Sequence, residues 1–134
     1  MTQKLIWEKT GESEYRFGEN KVSIIDNSII YIEVSGEQTD EHAEIIRAHY
    51  QEVYDRISVD VKQLINLNKS GKSSYNARQL FKQLNENQRT GKVAVFGIHP
   101  VAKVLAAFVI EITNNKNVRF FFSEEEALKW LRND

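Results

Sequence analysis

The chain has no cysteine, which excludes disulfides and thiolate metal sites outright. Proline occurs once, at Pro100, where it is placed to open a helix. Histidine is scarce: only His42, His49 and His99 occur. His42 and His49 lie seven positions apart, two helical turns, which suits one amphipathic helix better than one metal ion; no metal site is expected. Neither sign of charge dominates. The 18 basic and 19 acidic residues leave a net charge of -1, which argues against a nucleic-acid binder driven by charge. Long apolar runs are missing as well. MTQKLIWEKTGESEYRF lacks the apolar core of a signal peptide, and Val104–Ile110 is far too short to span a bilayer. These absences point to a cytoplasmic protein that binds no nucleic acid. At 134 residues with 41% hydrophobic content, the chain can bury a core without covalent staples.

What is present is best ordered in the last third, TGKVAVFGIHPVAKVLAAFVIEITNNKNVRFFFSEEEALKWLR. Val93–Phe96 is a short apolar run of buried-strand type. Gly97–Pro100 turns the chain, and Val101, Val104, Leu105, Phe108, Val109 and Ile112 follow at helical spacing. Asn114–Asn117 is a polar turn and Val118–Phe122 a second strand; Ser123 with Glu126 forms a capping box for a last helix. Strand, helix, strand, helix in this order specifies a parallel-sheet unit.

Upstream, Lys21–Asp26 and Ser28–Ser35 read as two strands joined by Asp26-Asn27-Ser28, good turn chemistry because Asn tolerates positive φ. Gly36 is expected to end the second strand. Thr39 or Asp40 caps a helix with Asp40, Glu41 and Glu44 near its start and a stripe of Ala43, Ile46, Tyr50, Val53, Tyr54 and Ile57. Val61–Leu67 is the next strand, Asn68–Ser74 a loop, and Ser73 or Ser74 the cap of a helix burying Ala77, Leu80, Phe81 and Leu84, closed by Thr90-Gly91. Residues 1–20 are polar with scattered apolar positions, an edge strand or loose arm; residues 21–134 form one domain without repeats or linkers.

Ile29–Gly36 (IIYIEVSG), Gly91–Pro100 (GKVAVFGIHP) and Val118–Leu131 (VRFFFSEEEALKWL), with the order hairpin then βα units, resemble the STAS or anti-anti-sigma family. The resemblance is to its SpoIIAA-like branch, also linked with lipid-binding Sec-fourteen-type domains, and it covers roughly residues 20–132. It implies a single α/β domain with a mixed sheet, an N-terminal hairpin and parallel βα units. It also implies a non-enzymatic regulatory module of bacterial type with a protein partner. In such relatives an Asp-Ser-Ser-Gly or Asp-Ser-Thr-Gly sequence at a helix start is phosphorylated by a partner kinase. Here the matching region is Asn68–Tyr75: Ser73 and Ser74 stand at that place, with Lys72 for the Asp and Tyr75-Asn76 for the Gly.

Two sites follow. The Ser70–Ser74 segment, with Ser70, Lys72, Ser73 and Ser74, falls between a strand end and a helix start, where free N–H groups favour anions and open sheets bind ligands. Gly71-Lys72-Ser73 is not a phosphate loop, because Asn66 stands where its first glycine is required. The helix over Val101–Ile112 has only Lys103 and Glu111 as charges, and its second face, with Phe81, Val104 and Phe108, could line an apolar ligand or meet a second copy, a partner or a membrane surface. His99 is read as a local helix cap. No catalytic residue and no cofactor is expected: lone histidines without a nucleophile and an orienting group carry no chemistry. The leading reading is a regulatory interaction module. The alternative is a carrier or sensor of an apolar small molecule or lipid.

Overall fold

The computed structural model describes residues 5–85, 90–97 and 117–133. Among the described residues one seven-stranded sheet runs β1-β2-β3-β4-β5-β6-β7 in both sequence and space. β1 (Glu8–Gly11), β2 (Glu14–Phe17), β3 (Asn20–Ile25) and β4 (Ile29–Gln38) form an antiparallel meander; β4, β5 (Val61–Ser73), β6 (Thr90–Phe96) and β7 (Val118–Phe121) are parallel. α1 (Asp40–Tyr54) joins β4 to β5, α2 (Tyr75–Asn85) follows β5, and α3 (Glu124–Arg132) follows β7. β4 is therefore the strand at which the sheet changes from antiparallel to parallel pairing. The helix predicted over residues 101–112, His99 and the Gly97–Pro100 turn lie outside the described residues, except Gly97.

Local chemistry accounts for the meander. Asp26 and Asn27 take φ of 55° and 56°, the two left-handed positions of a tight hairpin turn that Asx residues tolerate. Ile25 pairs with Ile29 across it. Alternation then sorts side chains to two faces. Ile30, Ile32 and Val34 of β4, Val61, Ile65 and Leu67 of β5, and Val93 and Val95 of β6 form one core with Val53, Tyr54 and Ile57. Ile29, Leu64, Ala94 and Phe96 face the other way and bury Ala127 and Leu131 of α3. Both faces of the parallel half are thus covered, and the short unbroken apolar stretches Ile29-Ile30, Leu64-Ile65 and Val93–Phe96 serve both.

The helices are fixed at their ends. Thr39 caps α1, and Ser123 Oγ accepts the Glu126 N–H at 3.2 Å, the serine half of the expected box. The far end of α3 carries partial negative charge on its last carbonyls. Lys62 Nζ donates to Leu131 O at 2.6 Å and Lys92 Nζ to Trp130 O at 2.9 Å, so strands β5 and β6 cap the helix that lies on them. On the other face Gln63 donates to the Tyr54 hydroxyl at 2.7 Å, which pairs with Thr90 Oγ1 at 2.5 Å, tying α1 to the beginnings of β5 and β6.

Three expectations are corrected. Gly36 does not end β4; the strand continues to Gln38, because Gly36 adopts φ 75° and lets the chain bend without leaving the sheet. Asn68–Ser73 is not a loop: β5 extends to Ser73, with Lys69, Ser70 and Ser73 paired to Ser35, Gly36 and Gln38. Thr90-Gly91 opens β6 rather than closing a helix. Upstream, residues 8–17 supply two strands of the same sheet. Trp7 stacks on Tyr15 at 5.0 Å and on His49 of α1 at 4.9 Å, holding this segment against the helix.

Candidate functional site

The C-terminal ends of β4 and β5 diverge from a regular ladder. From Glu33↔Asn66 the register steps to Ser35↔Lys69, then from Gly36↔Ser70 to Gln38↔Ser73, so β5 carries an extra residue at each step. Such bulges re-aim side chains. Close backbone approach makes them feasible: a Cβ on Gly71 would meet the Gly36 carbonyl carbon at 3.2 Å and the Glu37 nitrogen at 3.3 Å.

A buried amide pair holds the bend. Asn20 and Gln38 are 2% and 4% exposed. Asn20 Nδ2 donates to Gln38 Oε1 at 2.7 Å, and Asn20 Oδ1 accepts the Ser35 N–H at 2.8 Å. Gln38 Nε2 donates to the Ser35 and Gly36 carbonyls at 3.0 and 3.1 Å. These bonds satisfy backbone groups that the bulged ladder leaves unpaired, as burial demands.

The expected site residues part company here. Ser70 is 6% exposed and its Oγ donates to Leu67 O at 2.8 Å; it braces the first bulge and is removed from the accessible site. Ser74 caps α2, its Oγ accepting the Ala77 N–H at 3.1 Å. Ser73, the last residue of β5, is half-buried, and its hydroxyl has no hydrogen-bond partner among the described residues. Its carbonyl accepts from Arg78 Nη1 at 2.9 Å. Lys72, Ser73 and Ser74 gather with Glu37, Thr39, Asp40 and Glu41 around an open concavity of about 610 Å³ between the starts of α1 and α2. Glu37, Asp40 and Glu41 on its wall, against Lys72 alone, make it a poorer site for a free anion than the sequence implied.

On the opposite face, Arg16, Lys21, Glu33, Asn66 and Lys69 line a polar groove of about 360 Å³. Lys21 Nζ lies 3.0 Å from Glu14 and 3.6 Å from Glu33, so much of its charge is matched internally. Between the sheet, α1 and α2, an apolar cavity of about 20 Å³ is lined by Phe17, Ile32, Ala43, Ile46 and Leu80. That space suits about one water molecule. Val104, Phe108 and the Phe81 side chain, the expected apolar lining, lie outside the described residues. Among those residues, no group of His, Asp and Glu is arranged to hold a metal and no helix is long and apolar enough to cross a membrane.

His42 lies on α1, half-buried, as the third helical residue of a capping box: Thr39 N–H donates to His42 Nδ1 at 3.0 Å, and the His42 N–H reaches Thr39 Oγ1 at 3.4 Å. Desolvation pushes its pKa below the usual histidine value, with Glu41 and Glu37 opposing the shift. Thr39-x-x-His42 is the legible signal, with His in the place that Glu or Gln takes in the common form of the box.

The fold has solved counterparts. An uncharacterised protein of the DUF3478 family with a SpoIIAA-like fold, from Shewanella loihica PV-4, superposes with a TM-score of 0.61 at 17% identity, over 95% of this chain and 91% of its own. The anti-sigma factor antagonist SpoIIAA in its unphosphorylated form gives 0.62 at 15% identity, over 84% of this chain and 96% of its own. The Bacillus cell fate determinant SpoIIAA in its phosphorylated form gives 0.56 at 15%, over 84% and 99%. These likenesses establish the SpoIIAA-like, STAS-type fold expected from the sequence. No curated protein matches the chain. Residues 23–133 match the family described as "Domain of unknown function (DUF7793)", and the chain belongs to that family.

Proposed function

We propose that the protein is a non-enzymatic regulatory module that binds a protein partner through the corner formed by the β4–α1 and β5–α2 junctions, with Ser73 as its point of control. The observation that carries this reading is the grouping of Lys72, Ser73 and Ser74 around one open concavity at the ends of two parallel strands, the place where open sheets bind ligands. Ser73 is preferred over Ser74 because the Ser74 hydroxyl is engaged as a helix cap. The SpoIIAA structures, one unphosphorylated and one phosphorylated, lend the reading support by fold.

A phosphoryl group on Ser73 would add about two negative charges at the start of α2, beside Lys72 and Arg78 and across from Glu37, Asp40 and Glu41. The helix start favours that charge. Switching would therefore act on the partner, by repulsion or blockage, rather than by unfolding α2. The test is phosphopeptide mapping of protein isolated from its own organism, paired with partner capture by wild type, Ser73→Ala and Ser73→Glu. Added mass at Ser73 and loss of capture by Ser73→Glu are expected. Absence of modification together with equal capture by all three proteins refutes the reading. The alternative of an apolar carrier draws no support from the described residues, whose apolar cavity has about 20 Å³.

A further inference from the structure

The peptide group between Gln38 and Thr39 is held at both ends. Its carbonyl, Gln38 O, accepts the Ser74 N–H at 2.8 Å. Its N–H, on Thr39, donates to His42 Nδ1 at 3.0 Å. One rigid plane thus joins a titratable ring on α1 to the backbone of the serine corner. We infer that His42 is a proton-sensitive latch on that corner: protonation of the ring releases the Gln38–Thr39 peptide and, through it, the position of Ser74.

The donor pattern fixes the resting state. A backbone N–H can only donate, so Nδ1 must be unprotonated and the ring neutral with its proton on Nε2. When Nδ1 gains a proton it faces the Thr39 N–H donor to donor, and that bond is lost. Its remaining partner is Thr39 Oγ1, 2.9 Å away. That hydroxyl oxygen also accepts the His42 N–H and has two lone pairs, so the bond that one proton removes is the one from the Thr39 N–H, which holds the Gln38–Thr39 peptide. The charged ring would also stand in the first turn of α1, where the helix dipole is unfavourable to a cation.

The surroundings decide the pH range. Glu41, on α1, and Glu37, on β4, favour the charged ring, but burial outweighs them. The Glu41 carboxylate is shared with the Leu5 N–H at 3.3 Å. From β2 the ring of Phe17 packs at 6.2 Å and adds no charge. The latch therefore favours the closed state at neutral pH and opens as pH falls below the ordinary histidine value. Thr39, Asp40 and Glu41 line the same concavity as Lys72, Ser73 and Ser74, so opening alters both walls. The functional meaning rests on the proposed role of the corner; the coupling itself does not.

The experiment is a pH titration of the ¹⁵N-labelled full chain followed by amide and imidazole NMR. The neutral His42 ring is expected as the Nε2–H tautomer. The Thr39 and Ser74 amides should titrate with the midpoint of the His42 ring, below 6.5, and Thr39 amide exchange should rise about fivefold beyond its intrinsic pH dependence, the loss of one ordinary hydrogen bond. His42→Gln restores an acceptor at this position and should leave both amides flat. A neutral Nδ1–H tautomer, a Ser74 amide indifferent to the His42 midpoint, or His42→Gln amides that still titrate would each overturn the inference. If His42→Gln fails to fold, the wild-type tautomer and the shared midpoint decide alone. Because no partner is needed, failure of Ser73 as a control point would leave this result intact, and the reverse also holds.

Discussion

Replacing Asn20 by alanine tests whether the buried amide pair holds the end of β4. The side chain is 2% exposed, so water does not replace it freely. Its removal leaves the Ser35 N–H and Gln38 Oε1 without partners, while Gln38 Nε2 keeps the Ser35 and Gly36 carbonyls. Two buried polar groups left unsatisfied cost about 1–3 kcal/mol each. The adjoining cavity of about 20 Å³ has room for a water that recovers part of this. The net expectation is a loss of about 3 kcal/mol, or about 10 °C in Tm for a domain of this size. Urea unfolding followed by Trp7 and Trp130 fluorescence measures it, with the slope m unchanged. Gln38→Leu should cost a similar amount, and the double variant should fall short of the sum by about 1–2 kcal/mol, because both single changes break the same bond. A loss below about 1 kcal/mol for Asn20→Ala, or additive effects in the cycle, would refute the view that this pair fixes the bulge.

Gly71→Ala should destabilise by about 1–3 kcal/mol in thermal melts, since the new methyl meets Gly36 and Glu37 backbone at 3.2–3.3 Å and backbone yields little; an unchanged Tm would mean the two strand ends separate easily. Asn27→Val should cost about 1–2 kcal/mol because Asn27 sits at φ 56°, where branched side chains are strained, whereas Asn27→Gly should be neutral or better in the same assay. His42 has a lowered folded-state pKa, so its contribution to stability is complete above about pH 6.5 and is lost as pH falls through the folded-state value. Urea midpoints between pH 7.5 and 5 should therefore drop more for wild type than for His42→Gln, and parallel curves would count against the neutral cap. Trp7→Ala removes two stacked contacts, each worth about 0.5–1.5 kcal/mol beyond area burial, and should hasten proteolysis of the N-terminal segment; equal cleavage rates would show that Trp7 does not hold it.

Much of the framework was legible because it rests on local chemistry. Asp26-Asn27 announces a tight turn, Ser123 a helix start, and Ser28–Ser35 a strand. The serine segment was misread for an equally physical reason. Asn68–Ser73 holds two lysines, two serines, a glycine and an asparagine, a composition that disfavours strands. It is extended because it pairs with Ser35–Gln38, and that partner lies more than thirty positions away. The same distance hides Ser70, whose burial comes from the bulge rather than from its own polarity. Glu8–Gly11 and Glu14–Phe17 are short, polar strands whose place depends on Trp7, Tyr15 and Phe17 meeting α1.

By itself the sequence determined the turn at Asp26-Asn27, a helix start at Thr39 or Asp40 and the cap at Ser123, since each depends on spacing within a few residues, and the order of these elements carried the αβ alternation and the family resemblance. Tertiary structure alone decided that Ser70 is buried, how Asn20 meets Gln38, and that a single peptide group stands between His42 and Ser74. Those are contacts between segments brought together by the sheet, and hydrogen bonds across such distances leave no periodic trace in the chain.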